Sequence, residues 1–185
     1  LWTYPYLPLD PTDIGRTYDA DVIRINSQSG KGGIGFLLQE KYGYNPPPKM
    51  REVLSYAAKN VSDRLHKELS VEEVLEVFES GFLNRKIPLS ILECHFKQLP
   101  EGIATTITSC YDNAYSQHIA AEGNGRLDAV SNGLKTFYGF DYTLVRYSEH
   151  ALDSKSDSRG CSYIGLKWAD GTTTWGCGVH TDIIM

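Results

Sequence analysis

Asn84-Arg85-Lys86-Ile87-Pro88 separates two kinds of hydrophobic repeat, and that change of period decides the fold class. On its N-terminal side the apolar residues recur at helical spacing. Ser70 with Glu73 three residues on is the signature of a capping box, and Val71, Val74, Leu75, Phe78 and Phe82 then share one helical face. Upstream, Leu54, Ala57, Ala58, Val61 and Leu65 form the stripe of a helix over Arg51–Lys67. A shorter helix fits Gly30 to Tyr42, stopped by Gly43 and Pro46-Pro47-Pro48. On the C-terminal side the period falls to two. Leu89–Leu99, Ile103–Cys110 and Tyr115–Ala121 read as strands, separated by Pro100-Glu101-Gly102 and Asp112-Asn113. Arg126–Tyr138 reads as a helix on Leu127, Val130 and Leu134, and Phe140–Tyr147, Cys161–Trp168 and Thr172–Val179 read as three more strands. The class is therefore α+β. A small helical subdomain, with an extended segment before it, occupies residues 1–86; a βββα-βββ(α) domain occupies 87–185, with its last helix starting after Thr181. The near-repeat of a βββα unit is an architectural clue in its own right.

The extended segment is rich in proline and aromatics, Pro5, Pro8 and Pro11 alternating with Trp2, Tyr4, Tyr6 and Leu7. Such a run cannot form a helix, and its rings need a surface to cover, for which the following helices are available. Between it and the first helix lies Asn26-Ser27-Gln28-Ser29-Gly30-Lys31-Gly32-Gly33, a strand-to-helix turn whose backbone N–H groups and helix dipole favour negative charge. It is not a P-loop, because the lysine has neither the earlier glycine spacing nor the hydroxyl after it. The bland reading, a tight turn, carries most of the weight for such a loop taken alone.

With 185 residues, 41% hydrophobic and 22% charged, the chain can bury a real core. A net charge of −5 argues against a nucleic-acid partner, and no apolar run approaches the roughly 18 residues of a membrane span. The four cysteines Cys94, Cys110, Cys161 and Cys177 show no CxxC spacing and read as buried free thiols, which favours an intracellular, reducing setting, cytoplasmic or mitochondrial matrix. No metal site or cofactor is expected.

Several motifs in order carry a resemblance. Tyr4-Pro5-Tyr6-Leu7-Pro8-Leu9-Asp10-Pro11, Asp13-Ile14-Gly15-Arg16-Thr17-Tyr18 and the glycine-rich turn resemble the segment after the catalytic barrel of 2-isopropylmalate synthases, most closely fungal forms. Gly123-Asn124-Gly125 resembles the family's GNGP motif, Tyr147-Ser148-Glu149-His150-Ala151 its Y-x-E-H-A/S segment, Ser162-Tyr163-Ile164 its A-S-Y strand, and Trp175-Gly176-Cys177-Gly178-Val179 its W-G-V-G-V/I strand. Together they span essentially the whole chain.

The resemblance implies a post-barrel helical subdomain followed by a homodimerising regulatory domain that binds a small molecule, the feedback inhibitor leucine in the family or a different metabolite here. The family's acetyl transfer from acetyl-CoA to 2-oxoisovalerate uses a divalent metal held by carboxylate and H-x-H ligands in a barrel. The five histidines here are never two apart and eight βα units are missing, so this chain alone is not expected to run that reaction. The resemblance places Tyr18, with Arg16 beside it, where the family reaches a neighbouring subunit's active site. It places the ligand-contacting positions on Gly123, Asn124, Leu127, Asp128, Leu144, Tyr147, Ala151, Ser158, Gly160 and Ile183. Arg126 replaces the proline of GNGP, Lys155-Ser156-Asp157-Ser158-Arg159 replaces a small-residue stretch, and the family's final helix is cut or lost at Met185. Asp128 replaces a small neutral residue. If it lines the pocket it must be paired, with Arg126 or a polar ligand group, and leucine should bind weakly; if it only sits in the first helical turn, it should be exposed. Glu149 and His150, adjacent on a strand, face opposite ways and are not expected to share an acid–base site. The alternative to a regulatory module is a stand-alone descendant whose pocket binds another metabolite and catalyses its rearrangement or cyclisation, so enzymatic activity stays open.

Overall fold

The computed structural model describes residues 31–152 and 159–181. Arg16, Tyr18, the turn before Lys31, Ser158, Ile183 and the helix expected after Thr181 lie outside them. The described elements are α1 (Lys31–Tyr42), α2 (Pro48–Leu65), α3 (Val71–Phe82), β1 (Leu89–Gln98), β2 (Ile103–Tyr111), β3 (Gln117–Gly123), α4 (Arg126–Tyr138), β4 (Tyr142–Ala151), β5 (Gly160–Trp168) and β6 (Thr173–His180). This is the α+β class and the element order that the change of period predicts.

The three prolines end one helix and begin the next. Gly43, at φ +77, lets its own N–H reach the Gln39 carbonyl and the Tyr44 N–H reach Leu38, closing α1. Pro47 is then the N-cap of α2 and Pro48 its first residue, where the missing N–H costs nothing. The helix therefore starts three residues earlier than the apolar stripe suggests. The capping box of α3 is complete: the Glu73 N–H donates to Ser70 Oγ at 3.3 Å and the Ser70 N–H donates to Glu73 Oε2 at 2.9 Å.

Two antiparallel three-stranded sheets follow, β1-β2-β3 and β4-β5-β6. Helix α4 lies on the first with Ala129 and Gly133 buried; a Cβ on Gly133 would sit 3.0–3.2 Å from Ala121, Ile107 and Ile119 side chains, so the helix rests on the sheet at minimal separation. Among the described residues, the cover of the second sheet comes from the N-terminal helices. Ile34, Leu37, Leu38, Met50, Leu54, Ala58, Val74 and Phe78 form one buried cluster with Cys161, Tyr163 and Cys177 from β5 and β6. The division expected at 86/87 falls in the loop between α3 and β1, and this core crosses it. All four cysteines are unbridged thiols; Cys161 and Cys177 are buried, Cys94 and Cys110 half-buried.

Candidate functional site

Strand β4 organises the site because alternation sends its side chains to two different environments. His150 turns inward with Tyr163, the residue diagonal to it across the β4–β5 register. Its Nδ1 lies 3.0 Å from the Ala151 carbonyl, which can only accept, and its Nε2 lies 3.0 Å from Tyr163 Oη. With the ring neutral, Nδ1–H donates to the carbonyl and Nε2 accepts from the phenol. The same phenol accepts the Asn45 N–H at 2.8 Å, so the α1–α2 loop is tied to the second sheet through one tyrosine. Burial pushes the Tyr163 phenol well above its ordinary pKa. Behind it, the sulfurs of Cys161 and Cys177 are 3.5 Å apart; their mutual hydrogen bond favours the thiolate on Cys161 and disfavours it on Cys177.

Tyr147 and Glu149 occupy the opposite face. The Tyr147 Oη–H donates to Glu149 Oε2 at 2.5 Å, and this bond, more than burial, pushes the phenol up to about 12. Glu149 and His150 accordingly share no site, as their adjacency on a strand predicts. Tyr147 and Glu149 open onto a cleft of about 360 Å³ that lies between β1 and the second sheet. Ile91 and Leu92 give it an apolar wall, Gly160, Ser162 and Gly178 supply a floor of small residues, and Asn84 stands at its rim. A cleft of this kind, with Ile91 and Leu92 beside Glu93 on one side and a phenol–carboxylate pair opposite, suits a small amphipathic molecule.

Of the residues the resemblance singles out, the structure brings Tyr147 and Gly160 into this cleft, and Ala151 pairs with Gly160 in the β4–β5 register. Leu144 lies further along β4 and is 45% exposed. Gly123, Asn124, Leu127 and Asp128 sit elsewhere, at the corner between β3 and α4, and none of them lines the cleft. A Cβ on Gly123 would fall 2.4 Å from the Ala129 nitrogen, so glycine is what lets the helix start so close to the strand. Asp128 is exposed, and its Oδ2 accepts the Asn124 N–H at 2.9 Å. In the single chain Asp128 closes the turn into α4, as an acidic residue in a first turn does. The Arg126 guanidinium lies 5.1 Å above the Phe96 ring. Sequence reasoning did not find Asn84, Ser162 or the β1 wall, because their roles depend on two sheets meeting.

Among the described residues no three His, Cys, Asp or Glu side chains converge where a metal ion could sit, so the divalent metal of the resembling enzymes has no donor set there. No described helix is long and apolar enough to cross a membrane.

Comparison with known proteins completes the picture. Residues 68–185 match the model of the LeuA allosteric (dimerisation) domain. The chain belongs to that family. Residues 1–39 match a second one, the alpha-isopropylmalate synthase post-catalytic domain-like family. Among similar curated proteins, the 2-isopropylmalate synthase of Desulfitobacterium hafniense is 48% identical over 182 residues, 98% of this chain and 32% of that protein. The 2-isopropylmalate synthase of Helicobacter hepaticus is 42% identical, over 99% of this chain and 34% of its own length. That of Pseudomonas entomophila is 33% identical, over 99% and 32%. The chain thus spans about a third of the curated relatives it matches. These relatives are bacterial, which leaves the fungal likeness and a mitochondrial address without support.

Proposed function

We propose that this LeuA-type allosteric domain is the ligand-binding, dimerising regulatory part of a 2-isopropylmalate synthase, and that the cleft between β1 and β4–β6 is half of its ligand site. The observation that carries the reading is the separation of the two groups of ligand-contacting positions. Tyr147 and Gly160 line the cleft, whereas Gly123, Asn124, Leu127 and Asp128 stand at the β3–α4 corner outside it. A site built at a twofold interface is completed by such a corner from a second copy. Residues 87–185 bind and dimerise; residues 1–86 join them to the rest of an enzyme, with Arg16 and Tyr18 reaching a neighbouring active site. Leucine is the ligand proposed, with other small amino or oxo acids as the alternatives to be distinguished, and Asp128, on the corner that a second copy brings to the cleft, is placed to meet a polar group of the ligand. No nucleic-acid partner is proposed for a chain of net charge −5.

Two measurements on this chain test the proposal. Light scattering at micromolar concentration is expected to give a dimer, and calorimetric titration to give saturable heat with leucine that falls at least tenfold in affinity in Tyr147→Ala. A monomer, or silence toward leucine and a panel of small amino and oxo acids, would overturn it. The repurposed-enzyme reading draws no support from relatives that are all named as the synthase.

A further inference from the structure

Among the described residues, strand β6 is an edge of its sheet, with β5 as its one strand partner. One residue from ninety-five positions away occupies part of its open side. The Asn84 N–H donates to the Cys177 carbonyl at 2.9 Å. Its side-chain Oδ1 accepts the Val179 N–H at 3.0 Å, and its Nδ2 donates to the Val179 carbonyl at 3.3 Å. The primary amide therefore does for Val179 what a peptide group of a neighbouring strand would do. To face β6 in this way the Asn84 backbone takes φ +45, a left-handed conformation that asparagine tolerates better than most residues. Leu83, just before it, forms an isolated bridge with Cys177.

The residues on either side make this contact a mechanical one. Just after it, the Arg85 guanidinium reaches back and donates to the Ser80 carbonyl at 2.7 Å, which anchors the linker to the end of α3. Ahead, only residues 85–88 separate Asn84 from the start of β1. Asn84, Ile91, Leu92, Tyr147 and Val179 all line the same cleft. We infer that Asn84 is a positioning residue, a latch that holds the entry of β1 against the edge of β6 and so sets the width of the cleft. The inference rests on the proposed ligand site only for its effect on binding; the latch itself is a property of the fold.

The test compares Asn84→Gly with Asn84→Asp in the full chain. Glycine keeps the left-handed backbone and removes the amide; aspartate keeps an acceptor for the Val179 N–H and loses the donor. Amide exchange by NMR is expected to quicken at least tenfold at Val179 and across Ile91–Cys94 in Asn84→Gly, with α3 amides unchanged, while Asn84→Asp keeps Val179 protected. Leucine titrated into Asn84→Gly is expected to bind at least tenfold more weakly than to the parent chain. Unchanged exchange at Val179, or faster exchange at Val179 with β1 and the leucine affinity both unmoved, would overturn the latch. Failure of the parent chain to bind leucine would count against the proposed ligand instead, and the exchange data alone would then decide for or against Asn84.

Discussion

Tyr147 and Asp128 show how differently two carboxylate-linked residues behave at opposite corners of one domain. The Tyr147 hydroxyl donates a short hydrogen bond to Glu149 and keeps its proton, and the phenol rises to about 12. An unfolded chain titrates tyrosine near 10. The folded state therefore holds this proton more tightly, and the pair's contribution to stability is complete below about pH 10 and is lost as pH climbs toward 12. Phenolate absorbance followed against pH should show one late-titrating tyrosine fewer in Tyr147→Phe than in the parent. Asp128 works through the backbone instead, its carboxylate accepting the Asn124 N–H at the start of α4. Asp128→Ala is expected to cost about 0.3–1 kcal/mol in urea denaturation, and Asp128→Asn less, since an amide oxygen can still accept. A loss of several kcal/mol would mean that the side chain has partners beyond the turn.

At the scale of elements, two local features set where helices begin and how closely they pack. The reciprocal bonds of Ser70 and Glu73 satisfy two backbone donors that α3 would leave bare. Ser70→Ala should lower stability by about 1 kcal/mol in denaturant melts, a loss that Ser70→Asp should largely avoid. Helix α4 depends on the absence of a side chain. Gly133 faces Ala121, Ile107 and Ile119 at distances a Cβ would bring to 3.0–3.2 Å. Gly133→Leu has no room there and should destabilise by about 1–3 kcal/mol through lifting α4 from its sheet. Near-ultraviolet circular dichroism should register the displacement through Tyr138, whose ring stands 5.3 Å from Phe140 and 5.5 Å from Tyr111.

At the scale of the molecule, the buried cluster joins α1, α2 and α3 to β5 and β6, with Phe78, Tyr163, Cys161 and Cys177 within one core. The Asn45–Tyr163–His150 chain of hydrogen bonds adds a polar tie across the same junction. Helices and second sheet should therefore melt together. Far-ultraviolet circular dichroism, weighted to the helices, and the fluorescence of Trp168 and Trp175 on the second sheet should give coincident thermal transitions. Two separated transitions would show that the residues before and after the 84–88 linker fold independently.

The sequence by itself located each described element to within a few residues at its ends, the largest shift being β4, read as 140–147 and observed as Tyr142–Ala151, because each element carries its own local physics. The change from helical to alternating period at Asn84–Pro88, the Ser70–Glu73 box, and the glycine after α1 depend on neighbours within a few positions. It erred where a proline served two helices, since Pro48 reads as a breaker until it is seen as a first residue. The motifs were legible too, and with them the family. The tertiary structure alone decided which elements meet. That the N-terminal helices cover the second sheet, that Tyr147 and Gly160 share a cleft with Ile91 and Leu92, and that Asp128 faces solvent all depend on how two sheets are oriented. Asn84 shows the reason most directly. Its amide acquires a role only when folding carries Val179, ninety-five residues on, to within hydrogen-bond distance, and no periodicity within a strand or helix records a contact of that separation.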